Sequence, residues 1–164
     1  MRLAEFNEID PVTARATIAP ALDIPRWVEE VAAGRPYGSV TEAIDVARDA
    51  AHPFTDAEID RALSHHPQIG ERDETESEEA KHSRSEQAGL GEASASTIEA
   101  LAAGNRVYED RFGHVFLIRA AGRSHEEILS ELHRRLNNSP KAERTEVAEQ
   151  LRDIAALRIE GILS

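Results

Sequence analysis

The chain has 164 residues, a formal net charge of −12, no cysteine and only 4% aromatic residues. It is long enough to bury one core, built mainly from Ala, Leu, Ile and Val, and the absence of cysteine excludes disulfides, thiol nucleophiles and thiolate metal sites. The acidic balance argues against a nucleic-acid surface, because phosphate binding needs clustered Lys and Arg.

An alanine-rich, aromatic-poor composition favours closely packed helices over a large sheet. The expectation is therefore an all-α fold, a single compact multi-helix domain over residues 1–164. Residues 1–6 lack the charged and apolar regions of a secretory signal. No apolar run approaches the roughly 20 residues of a membrane-spanning helix. The C-terminal Gly161-Ile162-Leu163-Ser164 is not a Ser-Lys-Leu peroxisomal address. The expected setting is the cytoplasm, with no membrane partner.

Asp10-Pro11 reads as an N-cap followed by proline at the first helical position, opening a helix to about Leu22 that is interrupted near Pro20. Residues 24–33 form a second helix, opened by Pro25 and stopped by Gly34, with Trp27, Val28 and Val31 on one side. Ser39 with Glu42 and Thr55 with Glu58 have capping-box spacing. The first box opens a helix to about Ala51. The second opens a short helix carrying Ile59, Ala62 and Leu63 toward His65-His66-Pro67, where the proline disfavours helical geometry for His66. Residues 71–79 are acidic without an apolar stripe and read as a solvated loop or an exposed helix start. A helix is expected over residues 78–90. There the spacing of Ser83, Glu86 and Gln87 places a hydroxyl, a carboxylate and a carboxamide on one face.

A longer helix follows over residues 96–111, with Ile98, Leu101, Asn105 and Tyr108 along it. Residues 112–120 break the helical rhythm with a compact apolar run. Pattern alone allows a strand or a helix start; a lone strand would lack a partner, so an extended or turned segment lining the core is expected. Ser124 with Glu127 is a third box, before a helix bearing Ile128, Leu129, Leu132 and Leu136. Ser139-Pro140 opens the last helix, with Val147, Leu151, Ile154, Leu157 and Arg158 on or near one stripe.

Seven histidines raise the question of a metal, but no His-Glu-x-x-His or comparable spacing is present. No metal site is expected. His66, fixed at a helix exit, is a candidate proton donor or acceptor; its plainer reading is a helix stop. Ser83, Glu86 and Gln87 suit a small molecule rich in amide and ureido groups, or form an exposed polar face. Arg158 is either a snorkelling or paired arginine or a bidentate carboxylate binder.

His66-Pro67 followed by Ser83-x-x-Glu86-Gln87 resembles the signature of the 2-oxo-4-hydroxy-4-carboxy-5-ureidoimidazoline (OHCU) decarboxylases of urate breakdown. The resemblance continues through Asn105-x-x-Tyr108, Phe112-Gly113-x-x-Phe116, Gly122-Arg123-Ser124, Arg134-Arg135-Leu136 and Ile154-Ala155-x-Leu157-Arg158-Ile159. It implies an all-helical homodimer that decarboxylates OHCU to (S)-allantoin without metal or organic cofactor. It implies His66 and Glu86 as catalytic groups. Pro67, Ser83, Arg84, Ser85, Gln87, Phe116, Leu117, Ile118, Arg119, Ala120 and Arg158 are then substrate-binding positions. The chain departs from the family at His114-Val115, where many members have Phe-Pro, and at Gln68-Ile69, where many have Asp-Leu. The rival reading is a non-enzymatic helical interaction module with residues 71–79 as an acidic docking surface.

Overall fold

Caps and prolines start the helices. In the computed structural model, which describes residues 1–66, His82, Glu86 and residues 94–164, the Asp10 carboxylate accepts the N–H groups of Val12 and Thr13 at 3.0 Å each. Thr55 and Glu58 close a reciprocal box: the Glu58 N–H donates to Thr55 Oγ1 at 3.1 Å, and the Thr55 N–H to Glu58 Oε1 at 2.9 Å. At Ser39 only half of the box forms. Ser39 Oγ accepts the Glu42 N–H at 3.1 Å, while Glu42 turns back to the N–H of Gly38 at 2.6 Å. Ser124 and Ser139 cap through their hydroxyls in the same way. The described residues contain helices and no strand. The acidic stretch 71–79 and most of the helix expected over 78–90 lie outside them; His82 and Glu86 are helical.

The chain divides into two compact units. The first comprises Met1–Ala62 and Leu151–Ser164. It contains α1 (Leu3–Glu8), α2 (Pro11–Ile18), α3 (Pro25–Ala33), α4 (Val40–Asp49), nearly all of α5 (Asp56–Leu63) and the later part of a long final helix, α8 (Pro140–Ile162). The expected break at Pro20 is a 3₁₀ turn, Ala19–Ala21, since proline has no N–H to continue the α-helical ladder. α3 packs on α2 and α4. It fixes α4 through Trp27, fully buried, whose Nε1–H donates to Ala47 O at 2.7 Å.

The sequence reading contains no α1. Six residues are too few for propensity to sustain a helix, and tertiary ties hold this one. Arg35 lies over the ring of buried Phe6 and donates to the carbonyls of Phe6 and Ile9 at 2.6 and 2.8 Å. Asn7 exchanges two hydrogen bonds with the backbone of Tyr37.

The second unit, Leu63–Gln150, holds α6 (Ala95–Phe112), α7 (His125–Arg135) and the start of α8. α6 ends one residue past the expected Arg111: Gly113 takes the left-handed conformation at φ +78° and returns its N–H to Glu109 O, a geometry that glycine adopts without strain. α6 and α7 pack together where Gly104 faces Leu132, and a Cβ at Gly104 would run into the Leu132 side chain. Leu101, Tyr108, Phe116, Ile118, Ala120, Ile128 and Leu132 form the core of this unit, with Phe112, Leu129 and Leu136 against it. Ile98 is not on that face. It is 55% exposed.

Candidate functional site

α5 ends at Leu63, earlier than the proline alone requires, and Ser64 and His65 form a turn. His66 follows, buried, with its N–H donating to Leu63 O at 3.0 Å. The histidine singled out by the His-Pro pair is therefore withdrawn from bulk water, whereas its neighbour His65 is exposed. Glu86 is half-buried. His66, Glu86 and residues 116–120 all belong to the second unit, and Arg158 to the first. Pro67, Ser83, Arg84, Ser85 and Gln87 lie outside the described residues.

The expected irregular segment is present. Residues 115–120 are neither helix nor strand, and Phe116, Leu117, Ile118 and Ala120 are buried. An irregular segment in a core must place its backbone polar groups individually, and here side chains take several of them. Arg135 Nη1 donates to Leu117 O at 2.6 Å. The Arg119 N–H donates to Gln150 Oε1 at 2.8 Å, and Arg123 Nε to Arg119 O at 3.0 Å. The N–H groups of Leu117, Ile118 and Ala120 make no hydrogen bond to another described residue. The segment is thus partly engaged: the Arg119 N–H is already used.

Behind it lies a buried polar cluster that sequence reasoning missed. Arg135, 1% exposed, pairs with fully buried Glu143 through Nε at 2.8 Å and through Nη2. The same Glu143 oxygen accepts the Tyr108 hydroxyl at 2.5 Å, and the other oxygen accepts Asn138 Nδ2 at 3.0 Å. Burial, reinforced by the Glu143 carboxylate, pushes the Tyr108 hydroxyl far above its ordinary pKa, so it stays a neutral donor. The signal was Glu143 itself: it precedes Val147 and Leu151 at spacings of four, which puts a carboxylate on the apolar stripe of α8. Tyr108 is also ringed by Phe112, His114 and Phe116 at centroid distances of 4.7, 5.5 and 5.2 Å. His114 is stacked on Phe112 at 6.3 Å, so the imidazole takes an aromatic's place there.

Arg158 is 2% exposed, and its Nη1 donates to Ala21 O at 3.3 Å. Among the described residues, no group of three His, Asp or Glu side chains is arranged to hold a metal ion. No described helix is long and apolar enough to cross a membrane.

Comparison with known proteins places the chain. The sequence model of the OHCU decarboxylase family matches residues 7–160. The chain is 26% identical over 161 residues to the 2-oxo-4-hydroxy-4-carboxy-5-ureidoimidazoline decarboxylase of Haloferax volcanii, covering 97% of this chain and 94% of that protein. It is 27% identical to the uric acid degradation bifunctional protein of Bacillus sp. strain TB-90, over 99% of this chain but only 32% of that protein. The chain therefore spans about a third of that relative's length. A crystal structure of OHCU decarboxylase in the presence of (S)-allantoin superposes with a TM-score of 0.72 at 30% identity, covering 88% of this chain and 95% of that one. Matched over nearly its whole length in sequence, and by a solved helical structure, the chain belongs to the OHCU decarboxylase family.

Proposed function

We propose that this chain is one decarboxylase domain, a carboxy-lyase that converts OHCU to (S)-allantoin in urate degradation, with no metal or organic cofactor. The observation that carries the reading, beside family membership, is the buried irregular segment 116–120, where three backbone N–H groups make no hydrogen bond to another described residue. The substrate is a five-membered ring bearing a carboxylate and a hydroxyl on one carbon, with a ureido arm. Breaking the bond to the carboxylate releases carbon dioxide and leaves an electron pair that delocalises into the adjacent C=N–C=O system. A proton then closes the stereocentre from one face. Fixed donors aimed at developing charge are usually the largest contribution to such a step.

In this reading the Leu117, Ile118 and Ala120 N–H groups receive ring or ureido oxygens. His66 moves the proton as general acid or base, and its burial restricts exchange with bulk water. Glu86 orients His66 or holds the substrate hydroxyl. Pro67, Ser83, Arg84, Ser85, Gln87 and Arg158 are substrate-binding positions by the family motifs they match. The protein acts as a cytoplasmic homodimer. Freshly generated OHCU supplied to wild type, His66→Gln and Glu86→Gln, with (S)-allantoin followed by circular dichroism, tests the assignment. The wild type turns over and both variants lose rate. Wild-type kinetics in folded His66→Gln would remove the proposed proton carrier.

A further inference from the structure

The peptide groups of the buried segment are held by side chains at three points. A trans peptide points its C=O and the following N–H in opposite directions, and the bonds here are trans, the cis peptides being Arg35-Pro36 and His52-Pro53. Because Arg135 takes Leu117 O, the Ile118 N–H is directed away from Arg135. Because Gln150 Oε1 takes the Arg119 N–H, the Ile118 C=O is directed away from Gln150. Because Arg123 takes Arg119 O, the Ala120 N–H is directed away from Arg123. The three opposite poles, donor, acceptor and donor, make no hydrogen bond to another described residue. That alternation matches a ring or ureido group, which itself alternates N–H and C=O.

We propose that Gln150 is a positioning residue of this site, setting the direction of the Ile118–Arg119 peptide and hence of the Ile118 carbonyl offered to substrate. The proposal rests on the decarboxylase reading. Gln150 is the member of the set suited to this role: its amide serves no ion pair, and it reaches the segment from α8, 31 residues away in sequence. A small change in the direction of one peptide misplaces the ring relative to the proton carrier, and displacement of about 1 Å lowers rate by about 100-fold. Gln150 touches the peptide rather than the reacting atoms, so its influence falls on geometry in the bound complex.

Gln150→Met keeps the length and removes the acceptor; Gln150→Glu restores an acceptor. Amide hydrogen exchange by NMR reads the bond without substrate, and steady-state OHCU turnover reads its consequence. The expected result is that Gln150→Met loses protection at the Arg119 amide and drops kcat about 10- to 100-fold, with KM within about threefold and the fold intact, while Gln150→Glu recovers both. Unchanged protection at Arg119 in Gln150→Met, or lost protection with wild-type kcat, overturns the positioning role. Wild-type protein that never turns over OHCU sinks the functional reading and this role with it. Wild-type turnover matched by Gln150→Met sinks this role alone.

Discussion

The guanidinium of Arg135 lies 4.5 Å over the ring of Phe116 while its Nη1 grips the carbonyl of the next residue. One side chain therefore holds the segment by its apolar and its polar parts at once. Its charge is balanced by Glu143, equally buried.

Removing one member of that pair strands a charge. Arg135→Met is expected to destabilise by about 3–5 kcal/mol, the range for breaking a buried ion pair. The double substitution Arg135→Met/Glu143→Leu recovers part of the loss, because no charge remains buried. Recovery is incomplete, because the Tyr108 hydroxyl and the Leu117 carbonyl still lack their partners. Urea unfolding of both singles and the double closes the cycle, and full additivity would contradict the coupling.

How much of this was legible follows from the range of each interaction. Asp10, Thr55 and Ser124 announce helix starts because capping acts within three residues. Gly34 announces a helix end for the same local reason. The pairing of Arg135 with Glu143 and the reach of Gln150 to Arg119 are not local. Periodicity marks a stripe as buried but does not say which backbone group a polar residue on it will meet. The place of His66 at a helix exit was legible through its proline, and the irregular, buried course of residues 115–120 through the break in helical rhythm. Of the ties behind them, spacing marks Glu143 as a carboxylate on an apolar stripe but names none of its partners.

His66 carries a rate prediction. Replacing a positioned general acid or base lowers turnover by about 10²–10⁴-fold, so His66→Gln should fall within that range for kcat. Circular dichroism of the product should still show the (S) enantiomer for any residual enzymatic flux, and a racemic residual would place the reaction off the enzyme.

Stability should depend on acid through Glu58. Arg26 donates to both its oxygens, at 3.1 and 2.8 Å, and with the Thr55 N–H holds the carboxyl down at about 2 against an ordinary 4.5. The folded form thus binds fewer protons than the unfolded chain between those values. The contribution is complete above pH 4.5 and is lost as pH falls toward 2. Arg26 is 43% exposed, so solvent screens the pair, and cap and pair together are worth about 1–2 kcal/mol. Urea midpoints should fall across that window in wild type and fall less in Glu58→Gln. Equal slopes would remove Glu58 from the acid response.

The α6–α7 contact should tolerate nothing larger than glycine at 104. Gly104→Val drives a branched side chain into Leu132 and is expected to lower stability by about 1–3 kcal/mol, the usual range for overpacking. Gly104→Val with Leu132→Ala should regain part of that, measured by thermal unfolding.

Arg152 donates to the carbonyls of Arg48 and Ala50 at 2.7 and 2.8 Å, and Arg48 pairs with Asp153 at 2.6 Å. These bonds join positions more than a hundred residues apart. A ribosome delivers Leu151–Ser164 after every other part of the unit they complete. During synthesis the end of α4 therefore waits with its last carbonyls unclaimed until α8 has been made. Closing so long a loop is slow and leaves apolar surface uncovered meanwhile. The production of this protein, more than its equilibrium stability, is where slow translation or a chaperone would be felt.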